Sequence, residues 1–203
     1  RVTRHQIESY ERRLPRLWRL YARIPATRGD SWAEAGQQER VLRSYYTFLT
    51  DHVETLAYRP VISVAVPIYN TPPEFLSEML ASVRAQSYAN WELCIADDCS
   101  TDTRVAEILR TFQVEEPDRV KLTFRDTNSG IAATSNEALM LATGDYVALL
   151  DHDDRLYPNA LAEVVRAINL RLKGGHARPD ILYSDERVIG ENGELTDDAF
   201  FKP

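Results

Sequence analysis

Cysteine is nearly absent: the 203 residues hold two, Cys94 and Cys99. Their spacing fits neither a CxxC redox pair nor a zinc ligand set. Both thiols are therefore read as reduced, and the compartment as cytosolic. No apolar run approaches the ~18 residues of a membrane span, and no secretory signal opens the chain. Three nucleotide and nucleophile signatures are missing as well. Without GxGxxG after the first apolar run, a dinucleotide site is disfavoured; without GxxxxGK[ST], so is a P-loop; without GxSxG, so is a nucleophile elbow.

What is present is a soluble globular composition with an uneven charge. Residues 1–28 carry eight arginines against Glu8 and Glu11, a net +6, on a chain whose total is −7. A basic arm thus precedes an acidic body, and such a body does not suit nucleic acid. In residues 1–57, Ile7, Tyr10, Leu14, Leu17, Trp18 and Tyr21 recur at helical spacing, as do Val41, Leu42, Tyr45, Leu49, Val53 and Leu56. Pro15 and Ile24-Pro25 break the first segment, and Ser31 with Glu34 forms a capping-box pattern before the second. We expect residues 1–58 to be a helical extension packed on a main domain of residues 59–203. The alternative for the arginines is contact with a membrane surface or a partner.

After Arg59-Pro60 the rhythm becomes strand, helix, strand. Val61–Val66, Trp91–Ala96, Val120–Phe124, Tyr146–Leu150 and Ile181–Tyr183 read as strands. The helices between them are a segment after Pro72-Pro73 with Phe75, Leu76, Met79, Leu80 and Val83 on its apolar side, Thr101–Phe112, Gly130–Ala142 capped by Ser129, and Pro158–Leu172. Arg187–Ile189 with the turn Glu191-Asn192-Gly193 predicts a hairpin. This alternation builds an α/β fold, a mostly parallel sheet with helices on both faces, whose ligands bind beyond the carboxyl ends of the strands.

The chain is organised around GDYVALLDHDD. Gly144 reads as the left-handed stop of the preceding helix, and Tyr146–Leu150 as a strand covered on both faces. Asp151, Asp153 and Asp154 then fall within four residues. Clustered carboxylates repel unless a cation neutralises them, and hard oxygens suit Mg²⁺ or Mn²⁺. The plainer reading is a solvated acidic turn with an aspartate capping the next helix. Two further loops fall at the same sheet edge: Pro67-Ile68-Tyr69-Asn70 and Asp97-Asp98-Cys99-Ser100. Tyr69 suits stacking on a base or ordinary packing. Asp98 is able to accept the N3–H of a pyrimidine, while Asp97 suits a bond within its own loop. His152 either touches phosphate or ribose or faces solvent.

Two stretches, VISVAVPIYNTPPEFLSEMLASVRAQSYANWELCIADDCSTD and NSGIAATSNEALMLATGDYVALLDHDD, closely resemble the inverting family 2 glycosyltransferases of GT-A fold, a Rossmann-like nucleotide-binding architecture. The ending ILYSDERVI…FKP is similar to the branch that makes bacterial O-antigen and rhamnan-type cell-surface polysaccharides. The resemblance covers residues 61–203, whereas residues 1–57 are similar to the leader of that branch only loosely.

What the resemblance implies falls on particular positions. Asp151-His152-Asp153 matches the family's DXD motif, with Asp153 as direct metal ligand and Asp151 near the ribose or metal. Asp98 matches the carboxylate that reads the pyrimidine, and Pro67 and Tyr69 match the loop around the base. Asn128–Asn136, with Gly130 at the helix start, matches the segment beside the diphosphate. The family often has a basic residue in that helix; Ala132, Ala133, Thr134 and Ser135 stand here, which shifts more of the diphosphate onto the metal. The general base is expected beyond Pro203, and neither Asp185 nor Glu186 matches its position. The implied function is donor binding for metal-dependent inverting transfer from a UDP- or dTDP-type nucleotide-sugar. The acceptor is a glycan or lipid-linked glycan, and Mn²⁺ or Mg²⁺ is the cofactor. A cytoplasmic enzyme with peripheral contact at the inner membrane face through residues 1–28 fits that chemistry. The competing reading is a non-catalytic nucleotide-sugar-binding module. A sugar nucleotidyltransferase would need a glycine-rich first loop, where Val66-Pro67-Ile68-Tyr69-Asn70 stands.

Overall fold

The computed structural model describes residues 53, 55–184, 186–189 and 195–200. The helical patterns and capping box expected before residue 53 lie outside these residues. The described chain falls into two compact units, one ending at Pro179 and one beginning at Asp180.

The first unit is a four-stranded parallel sheet. Its strands are β1 (Ile62–Ile68), β2 (Trp91–Asp97), β3 (Val120–Phe124) and β4 (Tyr146–Leu149), in the order β3-β2-β1-β4. The connecting helices are α1 (Pro73–Arg84), α2 (Thr103–Glu115) and α3 (Ile131–Leu141), and α4 (Ala160–Lys173) follows β4. The expected strands and helices occur here within a few residues of their predicted ends. β1 and β2 are buried along almost their whole length, as near-continuous apolar runs in parallel sheets should be.

The two faces of the sheet are built differently. Ile62, Val64, Val66 and Ile68 point to the face covered by α1, α2 and α4, in one core with Leu76, Met79, Leu109 and Val165. Val53, from the apolar pattern of the N-terminal region, is buried in the same core and Leu56 packs against it. The other face carries α3, seated on Ala65 and Ala96 through Ala138. Small residues allow that helix to lie close.

Several local expectations are corrected. Among the described residues β4 is not covered on both faces: Val147 is 44% and Leu149 76% exposed, because β4 ends the strand order and α3 packs over β1 and β2 instead. Phe75 is exposed, and only Leu76, Met79, Leu80 and Val83 of the α1 stripe are buried. Gly144 is not left-handed. Its missing side chain matters for another reason: a Cβ there would stand 2.6 Å from the Val61 carbonyl oxygen and 2.7 Å from Ser63 Oγ. Ser129 does not cap α3; Gly130 holds the N-cap position at φ +83°, with no side-chain cap bond. In α2, Asp102 is the cap, its carboxylate accepting the Arg104 N–H at 3.0 Å.

In the second unit, Ile181–Tyr183 forms no strand. Three apolar residues mark a strand only when a neighbouring chain offers a ladder to join. The hairpin is present as β5 (Glu186–Ile189) antiparallel to β6 (Leu195–Phe200), with Glu186 opposite Phe200; the turn Glu191-Asn192-Gly193 lies outside the described residues.

Candidate functional site

The strand order places a topological switch between β1 and β4. β1 leads through α1 to β2 on one side, and β4 joins it on the other. Sheet twist and diverging connections open a crevice at such a point. β4 runs in register with β1 from Ile62↔Tyr146 to Ala65↔Leu149. A last bond, from Leu150 N–H to the Ala65 carbonyl at 3.2 Å, releases the chain as Asp151–Asp154 beside the β1 loop. The β2 loop lies on the other side of β1, where Ile68 is level with Asp97. All three predicted loops thus occupy one edge of the sheet.

The first two loops are locked together. Asp97 is buried, and its carboxylate accepts the Ser100 N–H at 3.0 Å and the Ser100 hydroxyl. Ser100 Oγ in turn accepts the Asn70 N–H at 2.8 Å, while Asn70 Oδ1 accepts the Thr101 N–H at 2.8 Å. Asn70 and Cys99 hold left-handed backbone, φ +48° and +61°. Non-glycine residues persist there only where surrounding bonds fix them. Tyr69, 45% exposed, and Pro67, half-buried, are presented on this braced frame. The predicted local bond of Asp97 is present, and it is part of this larger lock.

Asp98 is only 2% exposed. Its Oδ1 accepts the Ser129 N–H at 2.9 Å and its Oδ2 the Gly130 N–H at 2.8 Å. The Arg125 guanidinium approaches Oδ1 at 3.1 Å, as an ion pair without hydrogen-bond alignment, and also pairs with Glu137. Burial alone would raise this carboxyl. The Ser129 and Gly130 N–H groups, the Thr134 hydroxyl and the Arg125 charge together hold it below the ordinary carboxylate range. Asp98 therefore pins the start of α3, and Gly130, to the β2 loop. The left-handed Gly130 turns the chain so that two successive N–H groups reach one carboxylate. Arg125 was not singled out by the sequence, because a charge at a strand end looks like any solvated residue until its partner is known.

In the β4 loop, Asp151, Asp153 and Asp154 are exposed. The Asp154 N–H donates to the Asp151 carbonyl at 3.2 Å, closing a turn. His152 is neither fully solvent-facing nor bonded: its ring is 31% exposed, and its buried Nδ1 has no hydrogen-bond partner and lies 3.8 Å from Asp153 Oδ1. Among the described residues, no three His, Cys, Asp or Glu side chains converge as a metal cage. Such a donor set does not suit zinc or a calcium cage. It fits a cation that takes one or two carboxylates and completes its shell with water and phosphate oxygen, as Mg²⁺ does and Mn²⁺ can.

The Glycosyl transferase family 2 model matches residues 63–172. The chain belongs to that family. It is 50% identical over 155 residues to y4gI of Sinorhizobium fredii (strain NBRC 101917 / NGR234), a protein described as uncharacterized, covering 76% of this chain and 16% of y4gI. It is 35% identical over 175 residues to the O-antigen biosynthesis protein RfbC of Myxococcus xanthus, covering 85% of this chain and 13% of RfbC. The crystal structure of TarS from S. aureus superposes with a TM-score of 0.50 at 30% identity, covering 55% of this chain and 20% of TarS. The fold is that of the GT-A glycosyltransferases. The chain spans less than a fifth of the length of the two relatives.

Proposed function

We propose that this unit binds the donor of a glycosyl transfer in bacterial polysaccharide synthesis, a nucleotide-sugar of the UDP or dTDP type. The observation that carries the reading is the acidic loop emerging beside the braced Tyr69 and Asp98 loops at the switch between β1 and β4. Tyr69 and Pro67 flank the base. Asp98 is assigned to the N3–H of a pyrimidine; its carboxylate is 2% exposed and already holds the Ser129 and Gly130 N–H groups, with Arg125 at Oδ1, so the ring reaches it by opening this cluster. The N-terminus of α3 at Gly130 favours the diphosphate electrostatically. Asp153 binds Mn²⁺ or Mg²⁺ directly, while Asp151 faces the ribose or the metal and His152 the phosphate or ribose. When bound, the cation stabilises charge growing on the departing diphosphate. Displacement at the anomeric carbon is single and inverting.

An O-antigen relative supports a glycan or lipid-linked glycan as acceptor. Among the described residues no helix is long and apolar enough to cross a membrane. Peripheral contact of a cytoplasmic protein with the inner membrane face, through the arginines of residues 1–28, belongs to the same proposal. The site is tested by Asp153→Ala: UDP affinity should lose its Mn²⁺-dependent part, and equal UDP affinity in both proteins, with and without Mn²⁺, would remove Asp153 from the metal.

A further inference from the structure

The acidic loop has two limbs, and they are fixed by different means. Its upstream limb is β4, held in the sheet. Its downstream limb has no ladder; it is strapped to α1 and the turn after it. Arg155 pairs with Glu78 at 3.0 Å. The Leu156 N–H donates to Ser82 Oγ at 3.1 Å. Gln86 Nε2 donates to the Tyr157 carbonyl at 2.7 Å, and Gln86 Oε1 accepts the Leu161 N–H at 3.1 Å. The Ser87 N–H donates to the Pro158 carbonyl at 2.8 Å.

Gln86 is the centre of the strap. It is only 7% exposed, and its Nε2 also donates to the Ser82 carbonyl at 3.1 Å. One buried carboxamide thus binds the end of α1, the loop after Asp154 and the first turn of α4. A buried amide with satisfied donors and acceptor fixes the relative position of the segments it joins. A hydrophobic residue of equal size would fill the space and leave those backbone groups unpaired.

We propose that Gln86 and Ser82 are positioning residues for the Asp151–Asp154 carboxylates, setting their placement relative to the β1 and β2 loops. This rests on the nucleotide-and-metal reading above. Loosening the strap moves the downstream limb while Tyr69 and Asp98, braced independently, stay in place. The effect should therefore fall on the metal-dependent share of nucleotide affinity alone.

The experiment is calorimetric titration of UDP, with and without Mn²⁺, into the wild-type chain, Gln86→Met and Ser82→Ala. Groups bonded directly to metal ligands are worth about 10- to 100-fold in metal affinity; Gln86 and Ser82 act one step further out, through the backbone of Leu156, Tyr157 and Leu161, so the lower end of that range applies. We expect the Mn²⁺ enhancement to fall about 10-fold in Gln86→Met and by less in Ser82→Ala, with metal-free UDP affinity unchanged in both. Mn²⁺ paramagnetic resonance in the presence of UDP should show a matching rise in free ion. If both variants keep the wild-type enhancement, or if metal-free and metal-dependent affinities fall together, Gln86 and Ser82 are structural only. Should Gln86→Met not fold, Ser82→Ala decides by the same criterion. A wild-type chain without any Mn²⁺ enhancement overturns the reading of the site itself, and this inference with it.

Discussion

Replacing Glu92 with glutamine removes a charge on which four groups converge. Glu92 lies in β2 on the α3 face of the sheet and is 8% exposed. Its Oε1 accepts the Ser63 hydroxyl and the Thr143 N–H, both at 2.6 Å. Its Oε2 accepts the Thr143 hydroxyl at 2.9 Å and pairs with Lys121 Nζ at 2.7 Å. Burial alone would push this carboxyl up. The bonds from Lys121, Ser63 and Thr143 outweigh burial and bring it from the ordinary 4.5 down to about 2. Because the folded value is depressed, the stabilisation is fully present above pH 4.5 and is lost as pH falls towards 2. At about 1.4 kcal/mol for each pH unit, the gap corresponds to roughly 3 kcal/mol. Because the Lys121 side chain is 35% exposed, solvent screening brings the expected loss below the ~3–5 kcal/mol of a fully buried pair, to about 2–3 kcal/mol. Urea unfolding at pH 7 should show Glu92→Gln less stable by about this amount, and the gap to wild type should close as pH falls below 4.5. A loss under ~1 kcal/mol at pH 7, the range of an exposed pair, would refute the reasoning. So would a deficit of unchanged size at low pH.

Asp98→Asn must turn an amide N–H₂ towards the Ser129 or Gly130 N–H, since each carboxylate oxygen already accepts one of them. We expect a loss of ~1–3 kcal/mol in urea unfolding and weaker UDP and dTDP binding by calorimetry; wild-type values in both would remove Asp98 from clamp and base alike. For residues 1–28, each cation near anionic lipid contributes on the order of 1 kcal/mol. The chain should therefore sediment with anionic but not neutral vesicles at low salt, and lose this on removal of those residues. A full chain that stays in the supernatant would end the membrane proposal.

The sheet was legible because its strands are apolar runs closed by polar residues. VISVAV and WELCIA have the length and continuous apolar character of strands covered on both faces, and both pair in the parallel sheet. Other features depended on partners distant in sequence. Val147 and Leu149 look like core, but whether a strand lies at an edge is set by strand order, not by its own residues. Gly144 follows a helix as a stop glycine would, yet its neighbour is Val61, across the sheet in β1's entry. The three loops were readable as a group because each follows a strand. Their bracing was not: Asp98 meets Ser129 and Gly130, and Gln86 meets Tyr157 and Leu161, only after the fold has formed.

The site is tested most directly by titrating UDP-, dTDP- and GDP-sugars into the chain by calorimetry, with Mn²⁺, with Mg²⁺ and without metal. A pyrimidine-reading carboxylate beside a metal-binding loop predicts binding of UDP- or dTDP-sugars, strengthened by either cation, with GDP-sugars weaker by about 5- to 150-fold, the range that a mispaired polar group of ~1–3 kcal/mol gives. Equal binding of all three nucleotides, or binding indifferent to metal, would contradict the assignment of Asp98 and Asp153.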